Sequence, residues 1–434
     1  MRLHGVVVLV VAVGLTVPVR AQTPASPVTT NPTGEVSLRA AVDLALTQNP
    51  DLLAFDAGRR EAEALQLQAA RLPNPVLHTT IEDVGRSGTA RSSDLSDAVQ
   101  PQATVQLSQL VELGGKRAAR QRLAGLDRDL ATWDYEAARL DVLMRVSTTF
   151  LDVLAGQQMV AHTEQSLEVA RQVRQTVATR VAAGVVSPIE ETRADVLVAT
   201  AEMDADRARR TLDARRRQLA AQWGSAAAAF TSATGDLEVI PGIPPLAALE
   251  AALSRNPAVA RWVSEVAQRQ AALALARSAR VPDITVSAGY RRFTAIDSHA
   301  LVVGASVPIP WFDRNRDGIR AAEAAVDRAR HSARGVELEL AARLAEAHRM
   351  LSSAGDDVAT LRTRVVPAAR SVFEAVREGY QLGRFGLMDV LDAQRTLSEA
   401  NGRALEALSR FHQAMTTVER LVGQPIAELT SGSR

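Results

Sequence analysis

The chain has 434 residues, a formal net charge of +1 and no cysteine. That balance gives no electrostatic case for nucleic acid, and the missing thiols exclude disulfides, thiolate zinc or iron–sulfur centres and acylation at a signal-cleavage cysteine. No run after the N-terminal segment approaches the ~18 consecutive apolar residues of a spanning helix, so a membrane-embedded form has to be a closed β-barrel.

Residues 1–21 are expected to be a signal peptide. Arg2 and His4 precede an apolar run from Val6 to Val17, and Val19-Arg20-Ala21 offers small residues for cleavage after Ala21. Its removal takes Arg2 and Arg20 and leaves one more acidic than basic side chain. Lys116 is the only lysine. Residues 22–36 are rich in Pro, Thr and Ser and read as a flexible leader. Ser37 then caps a short helix to about Gln48. Asn49-Pro50 is an N-cap followed by proline at the first helical position, and that helix runs to about Arg71 before Leu72-Pro-Asn-Pro75.

The period then changes. Val76–Val84 and Ala103–Val111 alternate in polarity like strands, around a Gly/Ser/Asp-rich loop at 85–100. No proline occurs from about Lys116 to Ala182, which predicts a helix of ~65 residues and ~100 Å. Gly184 fits the left-handed position after that helix, and Ser187-Pro188-Ile189-Glu190 reads as a capping box opening the return helix. The return helix carries a thin apolar seam of Ile189, Val196, Met203, Leu212 and Leu219.

After a linker at 226–245 the pattern is written again. Leu249–Pro257 echoes Leu44–Pro50, and Arg280-Val-Pro282 echoes Arg71-Leu-Pro73. Ile284, Val286, Ala288 and Tyr290 alternate with Thr285, Ser287, Gly289 and Arg291, as Leu301, Val303, Ala305, Val307 and Ile309 do with Val302, Gly304, Ser306 and Pro308. A short loop at 294–298 joins them. A second long helix is expected from about Gly318 to Leu382, kinked or interrupted at Pro367. Gly383 stops it, and Gly386 caps a return helix with Asp389 three residues on. That helix has a full seam: Leu387, Leu391, Gln394, Leu397, Asn401, Leu405, Leu408, Phe411, Met415, Val418 and Leu421. The expected organisation is 37–225 and 246–425 as two repeats, with a tail at 426–434.

The fold class expected is mainly α with a small β-barrel contribution: two tandem repeats, each a β-hairpin plus long antiparallel helices. Four strands cannot close a barrel, because membrane barrels start at eight. Several chains must therefore pool their strands, and three would supply twelve. Narrow-seamed helices of this length likewise need neighbours.

This layout resembles the TolC-like outer-membrane efflux family. The residues that carry the resemblance are Arg71-Leu-Pro-Asn-Pro75, Gln109-Leu-Val-Glu-Leu-Gly-Gly-Lys-Arg117, Val307-Pro-Ile-Pro-Trp-Phe-Asp-Arg-Asn315 and Tyr380-Gln-Leu-Gly-Arg-Phe-Gly-Leu-Met-Asp-Val-Leu-Asp392. The two middle stretches are similar to the heavy-metal branch, the cobalt–zinc–cadmium type. The resemblance implies a homotrimer whose twelve-stranded barrel sits in outer-membrane lipid and whose twelve-helix tunnel crosses the periplasm. It also implies two partners, a periplasmic adaptor and an inner-membrane proton-driven pump of the RND type. The implied protein is a passive conduit, not an enzyme, and needs no cofactor.

The resemblance places Asp389 and Asp392 at a constricted periplasmic mouth, where threefold symmetry would make a carboxylate ring that attracts cations. Asp389 also fits a plain capping acid at a helix N-terminus. Tyr380 and Arg384 are expected either to latch the mouth by hydrogen bonds or to pack as ordinary surface residues. Gly184, Ser187, Pro188, Gly383, Gly386 and Met388 are the expected adaptor-docking tips. The histidines are dispersed, with no paired helix spacing, so no metal site is expected. Metal efflux rests on resemblance alone. Drug export or type I protein secretion fits the same architecture, and a periplasmic coiled-coil adaptor is the alternative from another class.

Overall fold

A computed structural model describes residues 31–82, 102–293 and 298–426. The expected signal peptide, the first part of the leader, the loop at 85–100, most of the loop at 294–298 and the tail beyond Ile426 lie outside the described residues. The described chain is mainly helical, and the order hairpin, long helix, return helix occurs twice.

β1 (Gly34–Ser37), α1 (Leu38–Gln48) and α2 (Pro50–Ala69) lead into β2 (Val76–Glu82) and β3 (Gln102–Val111). α3 (Lys116–Ala182) and the return helix α4 (Pro188–Ala221) follow, then β4 (Phe230–Thr234). α5 (Leu246–Ala252), α6 (Pro257–Ser278), β5 (Ile284–Phe293) and β6 (Ser298–Ser306) precede α7 (Arg316–Thr360), α8 (Val366–Gln381) and α9 (Leu387–Val422).

The Asn-Pro pairs do more than cap. Asn49 Oδ1 accepts the Leu52 N–H at 3.1 Å while its amide donates to the Gln222 carbonyl at 2.7 Å. Asn256 accepts from Ala258 at 2.7 Å and donates to the Leu421 carbonyl at 2.7 Å. Each thus starts one helix and satisfies the open carbonyl end of the return helix that closes its half.

β2, β3, β5 and β6 form one antiparallel sheet in that order, so the two hairpins lie side by side and β3 pairs with β5. One face carries Leu77, Val105, Leu107, Val286, Tyr290, Leu301 and Val303, all exposed. The other is polar and tied together. His78 Nε2 lies 3.0 Å from Ser108 Oγ, Arg291 Nε donates to Thr104 Oγ1 at 3.0 Å, and Ser287 Oγ donates to the Gly304 carbonyl at 3.2 Å. β2 and β6 are the sheet's outer strands.

Three expectations are corrected, and the one at Pro367 is met in a specific form. The leader ends earlier than expected: Gly34–Ser37 is β1, which pairs parallel with β4, inside the expected linker. The Ser187 capping box does not form as read. Ser187 Oγ accepts from Ile189 N–H at 3.4 Å, and Glu190 Oε2 is buried without a partner among the described residues. In the first return helix, Leu212 and Leu219 are buried, but Ile189, Val196 and Met203 are exposed, so the upper seam has nothing to close on within one chain. Pro367 interrupts its helix through a π turn at Leu361–Val365, where Val366 N–H bonds to the Leu361 carbonyl five residues back. Winding in one more residue accommodates the missing proline N–H. The core agrees: Val146 and Val153 correspond to Leu344 and Leu351, yet the stretch from Val153 to Gly184 is one residue shorter than that from Leu351 to Gly383.

A joint of ions and glycines holds the sheet against the helices. Lys116 Nζ lies 2.8 Å from Asp283 Oδ1, which also accepts the Leu113 N–H at 3.0 Å. Arg120 grips Glu112 through two bonds at 2.5 and 3.0 Å and donates to the Ala69 carbonyl at the end of α2. The guanidinium holds the Glu112 carboxyl below the usual carboxylate range, against the cost of burial. Burial likewise works against the Asp283 charge, but Lys116, the Leu113 N–H and Arg120 together keep its carboxyl low.

Candidate functional site

The ends of the two helical hairpins have the same backbone chemistry. Gly184 has φ +70° and Gly383 φ +73°, a region open to glycine at little steric cost. Gly184 N–H bonds to the Val181 carbonyl and Val185 N–H to the Arg180 carbonyl, both at 2.9 Å. Gly383 and Arg384 make the matching bonds to Tyr380 and Gly379, at 3.0 and 2.8 Å. Both long helices therefore end in a Schellman motif.

The docking-tip residues Gly184, Ser187, Pro188, Gly383, Gly386 and Met388 are all exposed at these turns. Val185, Phe385 and Met388 add exposed apolar side chains. The Phe385 ring lies over Gly379, in the space an added Cβ would take.

Asp389 Oδ2 accepts the Gly386 N–H at 2.8 Å, the acid half of a capping box. Asp392 lies one turn on, 2.9 Å from Arg395, with side chains 70% and 72% exposed respectively. Such an exposed pair is screened and worth little, so Asp392 remains available to solvent charges. Both acids are exposed on the first turns of α9.

Tyr380 is placed differently from a surface latch. It is 4% exposed and packs with Val173, Val177, Phe373 and Leu387 between the hairpins. Arg180 stacks over its ring, 4.4 Å from the centroid, and donates to the Tyr380 carbonyl at 2.5 Å. Burial pushes the phenol pKa up; Arg180 opposes this and Glu190 adds to it. The hydroxyl has no hydrogen-bond partner among the described residues, so no bond joins it to Arg384, which is exposed. Sequence reasoning missed Arg180. Its one signal was a basic residue in the last turn of α3, where it also suits the helix dipole.

Among the described residues no group of three or more His, Asp or Glu is placed to hold a metal ion, and no helix is long and apolar enough to cross a membrane.

Comparison with known proteins places this geometry. The chain is 36% identical over 391 residues to the cobalt-zinc-cadmium resistance protein CzcC of Cupriavidus metallidurans, spanning 90% of this chain and 91% of the relative. It is 30% identical over 294 residues to the nickel and cobalt resistance protein CnrC of the same organism, covering 67% of each. The fold matches that of the outer membrane channel CmeC of Campylobacter jejuni with a TM-score of 0.75 at 16% identity, over 89% of this chain and 85% of that one. The family model described as outer membrane efflux protein matches residues 41–225 and 248–424, and the chain belongs to that family.

Proposed function

We propose that three copies of this chain close a twelve-stranded barrel in the outer membrane and a twelve-helix tunnel below it, forming a passive exit duct for heavy-metal cations. In this proposal residues 37–225 and 246–425 are the two halves of the wall contributed by each chain. One observation carries it: a four-stranded sheet with an apolar exposed face, a polar hydrogen-bonded face and two open edges. In lipid those edges leave backbone groups unsatisfied, which neighbouring copies relieve. The polar face then lines the lumen. A periplasmic adaptor docks at the exposed turns, and an RND-type inner-membrane pump supplies the energy. The metal class follows from the resistance named for both relatives.

Two tests separate the parts. Outer-membrane fractions run unheated on a denaturing gel are expected to show a trimer-sized band that collapses on heating. A monomer alone would sink the assembly. Deleting the gene is expected to lower tolerance to cobalt, zinc or cadmium while leaving drug tolerance unchanged. The reverse pattern would transfer the duct to drug export.

The exposed acids give a further expectation. Threefold copying of Asp389 and Asp392 makes a ring of negative charge at the mouth. Asp389→Asn with Asp392→Asn is expected to reduce cation over anion permeability several-fold in single-channel recordings. Unchanged reversal potentials in a salt gradient would leave Asp389 as a helix cap only.

A further inference from the structure

The apolar seam of α9 is broken at Gln394 and Asn401, and the first break falls where α9 packs on α3. Gln394 is 8% exposed, and its Oε1 has no hydrogen-bond partner among the described residues. A buried amide oxygen left unpaired costs stability that an apolar side chain at that position would not. Around it stand groups of one chemical kind. Ser398 lies one helical turn along α9, and His162 and Ser166 are one turn apart on α3, so each pair shares a face. Ser398 Oγ lies 3.4 Å from His162 Nε2 and 3.4 Å from Ser166 Oγ. Closed hydrogen bonds of these types run at about 2.7–3.0 Å, so the groups are loosely joined and keep lone pairs to spare.

The cluster lies between two grooves. Ser166, Gln394 and Ser398 line both, one of about 680 Å³ and one of about 1030 Å³, and His162 lines the second. The grooves differ in charge. The first carries Asp204, Asp392 and Glu399 against Arg193 and Arg395. The second carries Arg362, Arg370 and Arg377 against Glu238 and Glu374. A cation is therefore drawn to the first, the groove that also holds Asp392.

We infer that His162, Ser166, Gln394 and Ser398 form a binding site for a divalent transition-metal cation, entered from the acidic groove. An imidazole nitrogen with neutral oxygens suits ions such as zinc and nickel, whereas calcium and magnesium prefer carboxylates. The set holds one histidine and no acid, unlike the acid- and histidine-rich groups that the described residues lack. Burial pushes the His162 pKa down, which favours the neutral ring that metals require. With no full negative charge among its ligands, the ion is held weakly, as suits a cargo that has to leave. Because the ligands come from both α3 and α9, a bound ion ties the two helical hairpins together. This deepens the cation duct proposed above and rests on it.

Co²⁺ alone is the probe, because nitrogen ligation changes its visible absorption, and the lack of cysteine removes competing thiolates. Untagged, detergent-solubilised protein is dialysed to equilibrium against it. Wild type is expected to retain a Co²⁺ ion at this site, and His162→Gln or Gln394→Leu to weaken that binding at least about tenfold, the lower end of what loss even of a ligand's supporting partner costs. Ions held by the mouth acids are common to all the proteins and cancel. Excess Ca²⁺ is expected to leave the Co²⁺ in place. Melting gives a readout of opposite sign. Without metal, Gln394→Leu is expected to melt no lower than wild type, since it fills the seam without an unpaired oxygen. With Co²⁺, wild type alone is expected to melt higher. Equal retention by wild type and both variants overturns the site and leaves a water on Gln394, and displacement by Ca²⁺ overturns the metal class. The duct is judged separately, by the metal tolerance of the deletion strain, so either reading can fail alone.

Discussion

Trp223→Ala is expected to destabilise the chain by about 3–5 kcal/mol, the cost of emptying a fully buried aromatic site. Trp223 is 0% exposed at the end of α4. Its ring lies 6.0 Å from that of Phe230 on β4, within a cluster that includes Val36 of β1, Ala41 and Ala45 of α1, and Val146 and Phe150 of α3. The ring sits where these elements meet, so its loss loosens the packing of β1, β4, α1 and α3 together. A total stability of about 5–15 kcal/mol makes that a large fraction. Trp223→Phe separates packing from chemistry. It keeps most of the ring and removes an indole N–H that has no partner among the described residues. Its expected cost is below about 1.5 kcal/mol. Urea unfolding of the detergent-solubilised protein, followed by far-UV circular dichroism, measures both. Equal losses in the two variants would mean that the site is not a closed core.

Gly114→Ala is expected to cost about 2–5 kcal/mol, from two sources that a neighbouring residue separates. Gly114 has φ +68°, and an added Cβ would stand 2.7 Å from Val281 Cβ and 3.0 Å from the Ser278 carbonyl oxygen. Gly115 has φ +73° with nothing within 4 Å of an added Cβ. Gly115→Ala therefore carries only the left-handed strain of about 1–2 kcal/mol. The difference between the two variants is the steric part. It arises where β3 turns into α3 against the turn between α6 and β5, beside Lys116 and Asp283. The same unfolding measurement applies. Matching losses at the two glycines would sink the claim of close approach.

Much of this fold could be read before the structure. α3 was legible because sixty-odd residues without proline, rich in good helix formers, leave the backbone few alternatives. The strands were legible because one apolar and one polar face impose period two. β1 and β4 were not. They are four and five residues long and lie almost two hundred positions apart, so neither carries a period of its own. Their pairing shows only when α1, α3 and α4 supply the floor beneath Val36, Phe230 and Ala233. Pro367 announced an interruption, but its form depends on whether neighbouring turns can absorb an added residue, which no local signal records. At the tips, the glycines and Asp389 behave as spacing suggested. Tyr380 does not, because its burial comes from Val173, Val177 and Arg180, two hundred residues away.

The π turn has a consequence for whatever grips the far ends of the helices. The wider turn absorbs the extra residue, so the helix regains its facing beyond it. The two hairpins therefore reach the same backbone turn at Gly184 and Gly383 despite their unequal lengths. Their ends present Glu190 with Arg193 on one and Asp389 with Asp392 on the other. The two ends of this chain thus share one backbone shape and differ in charge, so a partner reading shape would grip both alike and one reading charge would choose between them.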